Sequence, residues 1–194
     1  STNELNCFPF NSFNFLSTPL DNLFEVERNC IEDHRGFFSR LFCTEEFKEI
    51  GLIKPFVQVN YTMTRKKGTV RGMHFQNPPF AENKIVTCVK GEVLDIAVDI
   101  RKNSKTFLNY HSVVLSDTNF KSLYIPEGFA HGFQALEDDT EIQYKVSNQY
   151  SKNHEITIDF DDKDLSIKWH NDLKISLGKK DKKGFEFKKF KSLF

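Results

Sequence analysis

The stretch Glu92-Val-Leu-Asp-Ile-Ala-Val-Asp-Ile100 decides the fold of this chain. Every even-numbered residue from Leu94 to Ile100 is aliphatic, and two of the positions between them are aspartates. Such an alternation is typical of a half-buried β-strand, because successive side chains of a strand point to opposite faces. The same pattern recurs over residues 141–146 and 156–160. The sequence therefore predicts an all-β protein.

Turn-forming residues separate these strands, and they are rich in Gly, Pro, Asn and Ser. They are Lys67-Gly68, Asn77-Pro78-Pro79, Lys90-Gly91, Asn103-Ser104 and Glu127-Gly128. Short strands at such spacing predict a barrel or a double-sheet roll. The best helix candidate is 44–51, with Thr44 as N-cap and Gly51 as the stop signal. We expect a few short peripheral helices on one domain over residues 1–194, with residues 1–20 as an irregular N-terminal arm.

The charge and apolar content of the sequence indicate which kinds of binding partner to expect. The 194 residues carry 27 Lys+Arg and 27 Asp+Glu, so no overall charge favours nucleic acid or an anionic membrane. No window approaches 18 apolar residues, so we expect no membrane span. The tail from Lys179 to Phe194 holds seven lysines and is interpreted as a solvated end whose phenylalanines pack against the domain.

The four cysteines are scattered and form no CxxC pair; they are Cys7, Cys30, Cys43 and Cys88. A disulfide framework or a zinc site is therefore not expected, and free thiols in a reducing cytosol fit better. We accordingly expect a cytoplasmic protein.

Two histidine motifs stand about fifty residues apart. Gly68-Thr-Val-Arg-Gly-Met-His74 and Pro126-Glu-Gly-Phe-Ala-His131 resemble the two signature motifs of the cupin superfamily, which implies a jelly-roll β-barrel. A metal-binding cupin would carry a second histidine where this chain has Gln76, and the nearest acid is Glu82. Two histidines are too few for a stable catalytic metal site, so we expect no metal and no other cofactor.

A longer set of motifs resembles the dTDP-4-dehydrorhamnose 3,5-epimerase family, in register from about residue 20 to residue 182. The motifs are Asp33-His-Arg-Gly-Phe-Phe38, Phe56-Val-Gln-Val-Asn60, Val70-Arg-Gly-Met-His-Phe-Gln76, Ala81-Glu-Asn-Lys84, Gly91-Glu-Val, Ala97-Val-Asp-Ile-Arg101, Ile125-Pro-Glu-Gly-Phe-Ala-His-Gly-Phe133, Tyr144-Lys145, Asp161-Asp162, Trp169 and Lys180-Asp181. The resemblance implies epimerisation of a nucleotide-linked 4-keto-6-deoxy-hexose at C3, at C5 or at both carbons.

That reaction needs a base, an acid on the opposite face of the sugar, and a cation near the C4 oxygen. His74 suits the base, because histidine titrates near neutral pH, and the resemblance implies that Asp181 orients it. Tyr144 suits the acid and Lys84 the cation, since both share the inward side of their strands. Each of them, taken alone, also fits an ordinary structural role.

Arginines suit the diphosphate, because a guanidinium binds phosphate through two parallel hydrogen bonds. The candidates are Arg35 and Arg71. Strict alternation puts Arg71 and His74 on opposite faces of their strand, unless a bulge at Gly72 turns both inward. In the family, the segment of Arg35 reaches the neighbouring subunit, which implies a homodimer.

Further substrate contacts are expected from aromatic stackers, polar side chains and three residues that the resemblance places near the site. The stackers are Phe133 and Tyr150, the polar side chains are Gln58 and Asn60, and the other three are Phe38, His131 and Arg40. Arg40 stands where the family commonly has an acid that contacts the base. The nucleotide is therefore open: dTDP is the default, and CDP or GDP remain.

Three other functions compete with epimerisation. A cupin 3,4-ketoisomerase would carry a His-x-His pair, which His74-Phe-Gln76 lacks. A non-catalytic sugar-nucleotide binding module would not need His74, Asp181, Tyr144 and Lys84 together. A metal-dependent oxygenase is disfavoured by Gln76.

Overall fold

The structure is a computed structural model that describes residues 11–194. Within them, fourteen strands form in chain order: β1 (Phe13–Ser17), β2 (Phe24–Arg28), β3 (Cys30–Asp33), β4 (Gly36–Ser39), β5 (Gln58–Thr64), β6 (Thr69–Gln76), β7 (Lys84–Lys90), β8 (Glu92–Asp99), β9 (Tyr110–Ser116), β10 (Lys121–Ile125), β11 (Phe129–Ala135), β12 (Thr140–Val146), β13 (Glu155–Thr157) and β14 (Ser176–Leu177). The α-helix α1 spans Thr44–Phe47, and single 3-10 turns span Lys48–Ile50, Asp181–Lys183 and Phe187–Lys189. The prediction of an all-β fold with a few short helices is confirmed.

The strands form two sheets and one separate hairpin. The first sheet has the order β1-β2-β10-β7-β12-β5, and the second has the order β13-β6-β11-β8-β9 with β14 parallel to β6. The neighbours within each of these two orders are antiparallel. Strands β3 and β4 pair only with each other among the described residues.

Strand β8 separates two hydrophobic layers and is buried on both faces. Val93 and Ala97 belong to the core between the sheets, together with Leu115, Leu123 and Phe129. The even-numbered residues Leu94, Ile96 and Val98 face a second core, as does Ile100 just after the strand, and this core includes the C-terminal Trp169 and Phe187. The expected half-buried strand is therefore wrong for β8, because the C-terminal segment covers the outer face of the second sheet.

The N-terminal arm differs from the prediction. Residues 1–10 lie outside the described residues, but Phe13–Ser17 forms the edge strand β1, paired with β2. Phe13 and Phe15 pack edge-on against Phe47 of α1, and this aromatic contact fixes a strand that alternation alone did not reveal. The predicted irregular conformation is therefore wrong for residues 13–17.

The helix prediction at residues 44–51 is correct in place but wrong in its cap. Cys43, in an extended conformation, is the N-cap residue, and Thr44 is already helical. No side chain caps this terminus. Gly51 ends the following 3-10 turn with φ +85°, as its stop-signal role predicts.

The C-terminal tail is only partly solvated. Phe187 is buried, and Phe190 and Phe194 pack against Phe75 on β6. Phe185, in contrast, is 59% exposed. The tail thus holds part of the second core: the predicted packing of its phenylalanines is correct for Phe187 and Phe190 and wrong for Phe185.

Among residues 11–194, Cys30, Cys43 and Cys88 are unpaired, and Cys7 lies outside this range. Burial raises the pKa of the Cys88 thiol to about 12, which makes this thiol unreactive. No helix within residues 11–194 has the length and apolar character needed to cross a membrane.

Candidate active site

A cavity of about 400 Å³ opens between the two sheets. Strands β5, β7 and β12 of the first sheet line one side, β6 and β11 of the second sheet line the other, and residues 178–181 close one edge. Ten of the predicted site residues line this cavity: Gln58, Asn60, Arg71, His74, Lys84, His131, Phe133, Tyr144, Tyr150 and Asp181.

A bulge in β6 turns both Arg71 and His74 into the cavity. His131 of β11 lies opposite His74, and Phe133 lies opposite Arg71, so three steps on β6 match two on β11. Gly72 provides the extra residue with φ +129°, and a Cβ there would lie 2.6 Å from the Cα of Gly132. The bulge expected at Gly72 is confirmed.

His74 and Asp181 form a hydrogen-bonded pair. The Nε2 atom of His74 lies 2.5 Å from Oδ1 of Asp181, and Oδ2 accepts a hydrogen bond of 3.3 Å from the Gly72 N–H. Burial alone would raise the pKa of Asp181, but the hydrogen bond and charge of His74, with the Gly72 N–H and Lys180, hold this pKa below its usual value. The carboxylate therefore stays ionised and fixes the ring of His74.

A second histidine–aspartate pair lies on the neighbouring strands. Nε2 of His131 is 2.7 Å from Oδ1 of Asp95, whose side chain is fully buried on β8. His131 lies opposite His74 across the β6–β11 ladder. The pair fixes the orientation of the His131 ring beside His74.

Tyr144 lies on β12 of the first sheet, so it enters the cavity from the side opposite His74, which lies on β6 of the second sheet. It lies between Asn60 on β5 and Val86 on β7 in the register of β12. Burial, and then the charge of Glu82, raise the pKa of Tyr144, which outweighs a hydrogen bond with Asn60. The phenol therefore stays protonated at neutral pH, as an acid must.

Lys84, at the start of β7, is a buried cation. Its Nζ lies 3.0 Å from Oε1 of Glu82, and both side chains are about nine-tenths buried. Because an unpaired buried charge is costly, Glu82 stabilises the ammonium group in place. The predicted inward direction of Lys84 is confirmed.

The mouth of the cavity carries a chain of polar contacts. The Tyr150 hydroxyl donates a 2.7 Å hydrogen bond to Oε2 of Glu155, and Oε1 of Glu155 pairs with Lys180. Gln58 donates to Oδ1 of Asn60 at 3.1 Å and accepts from the Tyr150 N–H at 3.3 Å. Arg71 donates to Oγ1 of Thr64 at 3.1 Å and to the Met63 carbonyl at 3.3 Å.

Three predicted substrate contacts lie away from this cavity. Arg35 is exposed in the β3–β4 hairpin, where it pairs with Asp33, and Phe38 is 52% exposed on β4. Arg40 pairs with Glu46 at 2.9 Å and donates to Oγ of Ser12 at 3.0 Å. The structure therefore does not bring Arg35, Phe38 and Arg40 to the cavity of their own chain.

Sequence reasoning missed Glu155, Lys179 and Thr62 as lining residues, and it did not assign Glu82 or Lys180 to the site. Thr62 lies two residues after Asn60 on β5, so alternation puts it on the same face as that predicted contact. For Glu155 and Lys179 no signal existed, because both depend on how the C-terminal segment folds over β6. Within residues 11–194, no group of three or more His, Cys, Asp or Glu side chains is arranged to hold a metal ion.

Two antiparallel sheets with a polar cavity between them, lined by both motif histidines, define this chain as a protein of the cupin class.

Comparison with known proteins gives the family. The profile described as dTDP-4-dehydrorhamnose 3,5-epimerase matches residues 17–189. A dTDP-4-dehydrorhamnose 3,5-epimerase of Shigella flexneri is 45% identical over 157 residues, which cover 80% of this chain and 86% of that protein. The chain belongs to the dTDP-4-dehydrorhamnose 3,5-epimerase family.

Solved structures agree. The dTDP-4-dehydrorhamnose 3,5-epimerase from Elizabethkingia anophelis NUHP1 has a TM-score of 0.86 at 37% identity, covering 92% of this chain and 98% of that one. A dTDP-6-deoxy-D-glucose-3,5-epimerase from Legionella pneumophila, in complex with dTDP-4-keto-L-rhamnose, has a TM-score of 0.87 at 35% identity. It covers 92% of this chain and 95% of that one. The predicted family and cupin-type barrel are confirmed.

Proposed function

We propose that this protein epimerises a dTDP-linked 4-keto-6-deoxy-hexose at C3 and C5. The observation that carries the proposal is the His74–Asp181 pair on one sheet and the protonated Tyr144 on the other, with the cavity between them. A base and an acid on opposite walls are what inversion of a carbon requires. The names of the relatives support the dTDP-sugar as substrate.

In the proposed mechanism, Nδ1 of His74, the ring nitrogen that does not contact Asp181, takes the proton from the carbon next to the C4 ketone. The electron pair of the broken C–H bond forms an enolate, and the ammonium group of Lys84 stabilises its oxygen. Tyr144 then donates its phenolic proton to the opposite face of the same carbon. Asp181 stabilises the imidazolium that forms, and solvent returns both groups to their starting protonation states.

We assign the other lining residues to substrate binding. Arg71 is the cavity's candidate for the diphosphate, and Gln58 and Asn60 offer polar contacts beside it. Phe133 and Tyr150 offer ring faces, and His131 lies beside the base. We include Arg35, Phe38 and Arg40 as contacts that a second subunit supplies.

This assignment requires a homodimer, which we propose as well. The β3–β4 hairpin pairs with no other strand in the described part of the chain, and it exposes apolar side chains at Ile31, Phe37 and Phe38. Exposed apolar side chains on a hairpin outside the two main sheets favour an interface. A cytoplasmic location fits the unpaired cysteines.

The test is proton exchange in D₂O, followed by NMR, on a panel of 4-keto-6-deoxy-hexoses linked to dTDP, CDP and GDP. We expect exchange and inversion at both C3 and C5 of the dTDP-sugar. Exchange at one carbon would indicate a 3-only or 5-only epimerase. Movement of the keto group from C4 to C3 would indicate a ketoisomerase, and binding without exchange would contradict catalysis.

A further inference from the structure

Gln76 ends β6 at the position where a metal-binding cupin would have its second histidine, and its side chain is fully engaged. Nε2 donates to the carbonyls of Phe80 at 2.9 Å and Gln149 at 3.1 Å, and lies 3.5 Å from Oε2 of Glu82. Oε1 accepts from the Ser151 N–H at 2.7 Å. The residue is only 4% exposed. A buried amide with partners for both of its ends holds its neighbours firmly.

The segment that Gln76 contacts brings Tyr150 to the cavity. Residues 147–154 connect β12 of the first sheet to β13 of the second, and they include Tyr150. Gln76 binds the backbone on both sides of Tyr150, at Gln149 and at Ser151. The hydroxyl of Tyr150 is held separately by Glu155, which lies opposite Gln76 in the β6–β13 register.

We propose that Gln76 is a positioning residue, which fixes the main chain around Tyr150 so that its ring forms a wall of the substrate site. Tyr150 is 56% exposed, so its place depends on hydrogen bonds: those of Gln76 to the backbone on either side, its own N–H to Gln58 and its hydroxyl to Glu155. The inference rests on the proposed function, because it gives Gln76 a part in binding the dTDP-sugar. Gln76 does not touch the reacting carbons in this assignment.

The experiment compares Gln76→Met with a matched control, Gln134→Met. Gln134 is fully buried on β11 and makes the same kind of amide clamp, since it donates to the His170 carbonyl at 3.1 Å and accepts from the His170 N–H at 2.8 Å. It does not line the cavity. Both variants leave backbone groups without partners, so both should lower the melting temperature.

Only Gln76→Met should change substrate binding. We expect its KM for a dTDP-linked 4-keto-6-deoxy-hexose to rise about tenfold, with kcat within about twofold of the wild type, which is the signature of lost uniform binding. Gln134→Met should keep the wild-type KM. In a Tyr150→Ala background, Gln76→Met should raise KM no further, because both changes remove the same wall.

An equal rise in KM in Gln134→Met, or an undiminished effect of Gln76→Met without Tyr150, would overturn the proposal. Where Gln76→Met does not fold, Gln76→Glu keeps the acceptor for Ser151 but loses both donated bonds, and it should show the same rise in KM. An unchanged KM in Gln76→Glu would also count against the proposal.

Amide hydrogen exchange separates this inference from the proposed function. The Ser151 N–H of the wild type should be protected, and the loss of its acceptor in Gln76→Met should speed its exchange at least tenfold. If the wild-type protein turns over no nucleotide sugar, only the epimerase proposal is contradicted. An unprotected Ser151 N–H in the wild type would sink the positioning role, whatever the activity.

Discussion

The His74 ring and the Asp181 carboxylate come from chain positions 107 residues apart. Because the carboxylate fixes the ring and balances its charge, Asp181→Asn should lower kcat about 10²-fold, and His74→Ala should lower it by about 10²–10⁴-fold. Turnover of the dTDP-sugar measures both changes. Near-normal solvent exchange in His74→Ala would show that another group removes the proton.

Tyr144→Phe removes one hydroxyl and keeps the ring. Abstraction by His74 should continue, so C–H exchange with D₂O should persist while net inversion falls by about 10²-fold or more. The matched control is Tyr124→Phe, because Tyr124 is buried outside this cavity and should affect neither measurement. Parallel loss of exchange and inversion would make Tyr144 a substrate-positioning residue.

Burial is the main cause of the raised pKa of Tyr144, and the charge of Glu82 is the second. This negative charge raises the pKa of Tyr144, so removing the charge in Glu82→Gln should lower that pKa. Tyr144 would then lose its proton at a lower pH, and the alkaline limb of the inversion rate should move to lower pH. The pH–rate profile measures this shift, which should vanish in a Tyr144→Phe background. If the shift persists in the Tyr144→Phe background, a group other than Tyr144 causes the alkaline limb.

At the scale of elements, the bulge in β6 brings Arg71 and His74 to one face. Gly72→Ala would strain a φ of +129° and press Cβ against Gly132, whereas Gly36→Ala strains a φ of +127° with nothing within 4 Å. Gly36→Ala should cost about 1–3 kcal/mol of unfolding free energy. Gly72→Ala should cost clearly more and also lower kcat. Equal costs in urea denaturation would mean that the strands separate to admit the methyl group.

Most strands and most of the residues that line the cavity could be predicted from the sequence, because both depend on local patterns. Alternation in β7 and β12 decides which side chains point inward, so Lys84 and Tyr144 were predictable from neighbouring residues. The contacts of Glu155 and Lys180 were not, because they join segments that only the tertiary fold brings together. The double burial of β8 escaped prediction for the same reason, since the covering layer lies far along the chain.

At the scale of the whole molecule, the C-terminal tail is part of the second core. Phe187→Ala should lower the free energy of unfolding by about 3–5 kcal/mol, because it leaves a cavity beneath Phe190 and Phe107. Phe185→Ala, two residues earlier, removes an exposed ring and should change stability by less than about 0.5 kcal/mol. Chemical denaturation of both variants measures the difference. If both variants lose a similar amount of unfolding free energy, the tail stabilises the domain through its backbone and not through the Phe187 ring.

The position of Asp181 also matters while the protein is being made. Asp181 follows all fourteen described strands in chain order, so the ribosome adds it after both sheets. A domain generally folds as a unit, and the second core here includes Phe187, which follows Asp181. The nascent chain therefore gains the carboxylate that orients His74 and the aromatic cover of its second sheet in the same stretch of synthesis, and a polypeptide cut short before Asp181 would lack both.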